Sequence, residues 1–168
     1  MDSLQKSARS HASIPASKLF QKNSVTLRLA TDADMEEIAT LEQQLFAPPW
    51  SANSFRAELS NRASTTLVLA CASRIIGYAV MWQISAEMQI TKMAVAPPFR
   101  NMGIATWTME RIFEWARQQQ VRDVFIEVRA SNSSALCLYE KFGFALQGRR
   151  KGYYEAPRED ALLLAAHI

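Results

Sequence analysis

The chain has 168 residues, 49% of them hydrophobic and 21% charged, with a formal net charge of +3. These totals suit one globular domain with a sizeable core and exclude a chain too polar to collapse. No apolar run approaches the roughly 20 residues that cross a bilayer as a helix, so no membrane partner is expected.

The surplus charge is local. Residues 1–24 carry Lys6, Arg9, Lys18 and Lys22 against Asp2 alone, and the rest of the chain balances fifteen basic groups with fifteen acidic ones. A neutral domain has no net field to draw nucleic acid. The first 24 residues are rich in serine and lack the continuous apolar core of a secretory signal. A disordered basic tail is the expectation there, with an organellar transit peptide as the alternative, ahead of one domain over 25–168.

"VTLRLA" reads as a strand. "TDADMEEIATLEQQLF" opens on Thr31 or Asp32 as N-cap, and Met35, Ile38, Leu41 or Glu42, and Leu45 recur at helical spacing. "APPW" breaks that helix, and Ser51 caps a second, shorter one through "SANSFRAELSN". "STTLVLACA" and "IIGYAVMWQIS" form a hairpin around "SR", and "AEMQITKMAVA" is a third strand stopped by Pro97 and Pro98.

A helix follows from Gly103 to about Gln120, with Ile104, Trp107, Ile112 and Trp115 as buried candidates. "VRDVFIEVRA" is a strand, "SNSSALCLYEKFG" a helix ended by Gly143, and "FALQGRRKGYY" and "DALLLAAHI" are strands. The order β α α β β β α β α β β predicts an α/β domain with a mixed sheet.

Three segments bear on chemistry. In "FRNMGIATW" a strand passes through a proline turn into a helix, so unpaired N–H groups gather at the helix start. Gly103 lets the backbone approach a ligand, and the helix dipole favours an anion. On its own the Arg100–Gly103–Ala105 spacing fits any tight strand-to-helix turn as well.

Glu127 lies near the end of an apolar strand, where alternation turns it away from Ile126 and Val128. It faces either solvent or a pocket. Asn132 and Tyr139 are seven residues apart, sharing a helix face about 10 Å apart along the axis. Asn132 serves equally well as a helix cap and Tyr139 as a core residue. Cys71 and Cys137 lack metal-ligand spacing and read as buried free thiols, which suits a cytoplasmic protein. His11 and His167 lie at opposite ends of the chain, so a histidine triad or a metal site is not expected.

"RNMGIA", "IEVRASNSSALCLYEKFGF" and "RRKGYY" with "RED" fall in an order and spacing that resembles the GNAT acetyltransferase superfamily. More closely they resemble its RimI-type ribosomal-protein alanine N-acetyltransferases, over roughly residues 25–168. The resemblance implies the GNAT (acyl-CoA N-acyltransferase) fold, a mixed and mostly antiparallel sheet flanked by helices. It implies acetyl-CoA as cosubstrate, without a metal, and a protein N-terminus as acceptor, with the N-terminal alanine of a small-subunit ribosomal protein preferred.

By the same resemblance, Arg100, Asn101, Met102, Gly103, Ile104, Ala105 and Thr106 form the pyrophosphate loop. Met93, Ala94 and Val95 run beside the pantetheine arm and orient the acetyl group, and Asn132 contacts that arm. Glu127 is the general base and Tyr139 the general acid. The loops "FAPPWS" and "GYYEAPRED" flank the peptide groove, with Trp50, Tyr153 and Tyr154 as its walls. The chemistry asks for such a pair: an N-terminal amine with a pKa near 8 must lose a proton, and the departing thiolate must gain one. The chain departs from the family at Asn101 or Met102 and at Thr106, where basic residues are usual, so a weaker hold on the cofactor is expected. A GNAT acetyltransferase of broader protein N-termini or small amines and, from another class, a non-catalytic acyl-CoA-binding module are the alternatives.

Overall fold

A computed structural model describes residues 25–168; the expectations for the basic tail fall outside them. The elements follow the predicted order. They are β1 (Val25–Leu29), α1 (Met35–Leu45), α2 (Ala52–Ser60), β2 (Ser64–Cys71), β3 (Arg74–Ile84) and β4 (Glu87–Val95). After these come α3 (Ile104–Gln118), β5 (Asp123–Arg129), α4 (Ser133–Lys141), β6 (Ala145–Glu155) and β7 (Arg158–His167).

Local chemistry sets the boundaries. Thr31 N and Oγ1 both donate to Asp34 Oδ2, at 2.7 and 2.8 Å, closing a short 3-10 turn that leads into α1. Ser51 caps α2 by accepting from Ser54 N at 3.1 Å. Gly143, at φ 78°, ends α4 in the left-handed region.

The strands form one seven-stranded sheet in the order β1-β2-β3-β4-β5-β7-β6. Only β4 and β5 run parallel, joined by the α3 crossover. Alternation sends Ile90, Ile126 and Val128 into a core beneath α3 and α4, with Ile104, Met109, Ile112 and Phe113. Val68, Tyr78, Val80 and Ala94 meet Met35, Ile38, Leu41 and Phe55 on the face covered by α1 and α2. Helices on both faces of a twisted sheet are the layered solution expected of such a pattern. Among the described residues no helix is long and apolar enough to cross a membrane.

Three expectations change in detail. Cys137 is exposed and Cys71 half-buried, because Cys137 falls on the outer face of α4. Trp107 and Trp115 are half-buried, packing against the core while Thr108, Met109, Phe113 and Ala116 fill it. The β2–β3 turn falls at Ala72–Ser73, with Ala72 at φ 53°, rather than on "SR".

The sheet is interrupted at one place. The β3–β4 register slips around Thr91, whose Oγ1 donates to Val80 O at 3.0 Å. The parallel pairing of β4 and β5 stops at Ile90 and Ile126. Beyond that rung the two strands part, and a wedge opens between Met93–Val95 and the end of β5. A bulge that bends one strand away from its neighbour is the cause. At the same end of the sheet β3 and β4 lie close: a Cβ on Gly77 would meet Ala94 O at 2.5 Å.

Candidate active site

The wedge gathers the candidate residues. Along β4, Met93 is half-buried and Ala94 and Val95 are buried. On the side facing β5 their backbone has no strand partner among the described residues. Inside a sheet such groups are normally paired, so this edge is open to an extended ligand.

The chain leaves β4 through the turn Pro97–Phe99 and enters α3 with Asn101 at φ 58° and Gly103 at φ 78°. Gly103 is the N-cap, and the first helical bond runs from Trp107 N to Gly103 O at 3.0 Å. The N–H groups of Ile104, Ala105 and Thr106 therefore lack helical acceptors. No acidic residue stands in the first turn. Donors, dipole and the absence of a repelling carboxylate suit a pyrophosphate here. Arg100, although exposed, turns its Nε back to Val95 O at 3.0 Å and ties the loop to the strand end.

Glu127 rises from β5 on the α1/α2 face, half-buried as alternation required. Its Oε1 pairs with Arg150 Nη1 at 2.9 Å. Tyr139 comes from α4 on the other face, only 6% exposed, its ring against Phe144 at 5.5 Å. Tyr154 of β6 links the two: burial and then the Glu127 charge push its hydroxyl above the usual tyrosine range. Burial, with Tyr154 next, does the same to Tyr139 and keeps its proton in place. Among the described residues the Tyr139 hydroxyl makes no hydrogen bond. A hydroxyl that keeps its proton can donate to a ligand.

Asn132 takes the structural option, at least in part: its Oδ1 caps α4 by accepting from Ala135 N at 3.2 Å. Tyr153 and Tyr154 meet edge to face at 5.1 Å on the bulged turn of β6. Trp50 stands on the α1–α2 loop, its ring 5.4 Å from Phe55.

The "RED" run turns out to be a clasp. Arg129 lies over the Tyr154 ring at 4.1 Å and donates to Ala156 O and Pro157 O at 3.1 and 3.2 Å. Glu159 pairs with Arg129 and accepts from Ser131 N, bonds that hold its carboxyl below the usual range. Asp160 accepts from Gly152 N at 2.8 Å and pairs with Arg149 at 3.2 Å. The β6–β7 hairpin is thereby fastened to the turn that starts α4.

One cluster was missed by the sequence reading. Glu42, fully buried in α1, accepts from Tyr78 Oη, from Lys92 Nζ and, at 3.1 Å, from Trp50 N. Burial and the Glu42 carboxylate push the Tyr78 hydroxyl far up, so it stays a donor. The signal was present: Glu42 competed with Leu41 for the apolar face, and Lys92 interrupts an apolar strand.

A seven-stranded sheet split between β4 and β5, with free N–H donors at the helix start beside the split, is the layered architecture of an acetyltransferase fold. The Acetyltransferase (GNAT) family matches residues 34–144, and the chain belongs to it. A Bacillus subtilis relative is 33% identical over 132 residues, 78% of this chain and 87% of that one. The [ribosomal protein bS18]-alanine N-acetyltransferase of Salmonella typhimurium is 29% identical over 145 residues, 85% of this chain and 97% of that one. The crystal structure of the ribosomal-protein-S18-alanine N-acetyltransferase from Escherichia coli superposes with a TM-score of 0.79 at 27% identity, covering 86% and 94% of the two chains. The chain is therefore an acetyltransferase of the GNAT family, similar in sequence and fold to ribosomal-protein alanine N-acetyltransferases.

Proposed function

We propose that this chain acetylates the N-terminal alanine of a small-subunit ribosomal protein, by direct attack of the free α-amine on acetyl-CoA. Residues 25–168 act as a single catalytic domain, and a ribosomal acceptor places the reaction in the cytoplasm. The observations that support this reading most are the unpaired β4 edge at Met93–Val95 and, next to it, a helix start with free N–H donors and no acidic residue in its first turn.

Acetyl-CoA brings an activated acetyl thioester. The N–H groups of Ile104, Ala105 and Thr106, with the loop Arg100–Gly103, hold its pyrophosphate. The open edge at Met93–Val95 aligns the pantetheine arm and supplies N–H donors for the carbonyl oxygen as negative charge develops. Asn132 contributes to the arm from the start of α4. Glu127 receives the proton of the incoming ammonium, directly or through one water, and leaves a nucleophilic amine. Tyr139 donates to the departing thiolate, and the nitrogen, on becoming the amide, returns a proton to Tyr139. Trp50, Tyr153 and Tyr154 line the acceptor groove. No covalent enzyme intermediate is required.

Mass spectrometry of ribosomal proteins from cells with and without this chain tests the reading. The expected result is one acetyl group lost from one N-terminal alanine when the chain is absent. Unchanged ribosomal proteins, together with transfer to a polyamine but not to an alanine-first peptide in vitro, would overturn it in favour of a small-amine acceptor.

A further inference from the structure

The Glu42 cluster lies outside the acid–base pair, yet it ties together two parts of the site. Lys92 is the residue before Met93 and the residue after the bulge at Thr91. Its ammonium pairs with Glu42 and lies 4.7 Å from the centre of the Phe46 ring and 4.8 Å from that of Trp50. The same carboxylate accepts from the Trp50 backbone. One side chain of β4 thus grips both ends of the Phe46–Trp50 segment, and one carboxylate of α1 anchors the grip from below.

We infer that Lys92 is a positioning residue that holds the α1–α2 loop as the acceptor wall at a fixed distance from the acetyl-orienting end of β4. The inference rests on the proposed function for the role of that wall. A cation held between two aromatic faces is attracted to both ring quadrupoles, and a desolvated site strengthens the attraction. The paired Glu42 is fully buried and the Lys92 side chain only 13% exposed, so water does little to weaken the clamp. Acceptor geometry depends on this contact; the cofactor, bound along the backbone of the same strand, does not.

The test compares wild type, Lys92→Met and Lys92→Arg in the full chain. Methionine keeps the aliphatic stem without the charge, and arginine keeps a cation over the rings. Lys92→Met is expected to raise KM for an alanine-first peptide about tenfold, with kcat and the KM for acetyl-CoA within about twofold of wild type. Lys92→Arg should recover most of the loss. Amide hydrogen exchange read by mass spectrometry should show residues 46–51 losing protection in the methionine variant while β5 and α3 keep theirs. Equal protection of that segment in all three proteins, or a matching rise in both KM values, overturns the inference. If the wild type acetylates no alanine-first peptide, the proposed function fails instead, and the exchange comparison still decides whether Lys92 holds the loop.

Discussion

Glu127 and Tyr139 are ordinary residues in unusual surroundings. In the proposed mechanism a carboxylate on β5 and a tyrosine on α4 accept and donate protons near the place where β4 and β5 part. On that proposal each acts in the transition state, while the backbone holds the cofactor. Glu127→Gln and Tyr139→Phe should therefore each lower kcat by about 10²–10⁴-fold. The dissociation constant for acetyl-CoA, measured by calorimetry, should stay within a few-fold of wild type. Normal turnover in either variant would remove that residue from the mechanism. Both positions were legible only through resemblance, since alternation leaves Glu127 equally suited to solvent and helical spacing leaves Tyr139 equally suited to the core. Glu42 was harder to see. Its partners Trp50, Tyr78 and Lys92 lie 8, 36 and 50 residues away, and no local pattern connects them.

Cofactor affinity should depend on the start of α3. Its start has an αL glycine, free donors and no acidic residue, but no basic side chain in the first turn. Thr106, in that turn, is half-buried. An added cation there would strengthen the hold on a pyrophosphate by charge-assisted hydrogen bonding. Thr106→Arg should lower the dissociation constant for acetyl-CoA severalfold, an effect that shrinks as salt is raised. Equal affinities for the two proteins at low salt would show that the backbone amides already satisfy the phosphates. Element types and their order were legible because each helix and strand is strongly periodic and bounded by proline, serine or glycine. The clasp built by Arg129, Glu159 and Asp160 was not. It joins a hairpin to a helix start through side chain-to-backbone bonds, which leave no periodic trace.

For the whole molecule, stability should be bounded by two sets of groups. The Arg28 guanidinium, aided by Thr31, holds the Asp34 carboxyl well below the usual range. A depressed carboxyl stabilises the fold above its unfolded pKa, near 4, and loses that contribution as pH falls. Tyr78 and Tyr139 are shifted up by burial. Their contribution is complete below the unfolded tyrosine value, near 10, and is lost as pH rises past it. Thermal melts should thus show a plateau between roughly pH 5 and 9, falling on both sides. Asp34→Asn should lower the plateau and flatten the acid limb; an acid limb as steep as that of wild type would show that other carboxylates dominate.

The parting of β4 and β5 also sets a gauge. Paired strands lie about 4.8 Å apart, and one extended chain inserted between them needs about twice that. Two strands that diverge from a last paired rung pass through that width once, at a fixed height above it. The crevice therefore measures its guest by thickness. On the proposed function, a single extended, amide-bearing chain fits that width and ladders to the open edge.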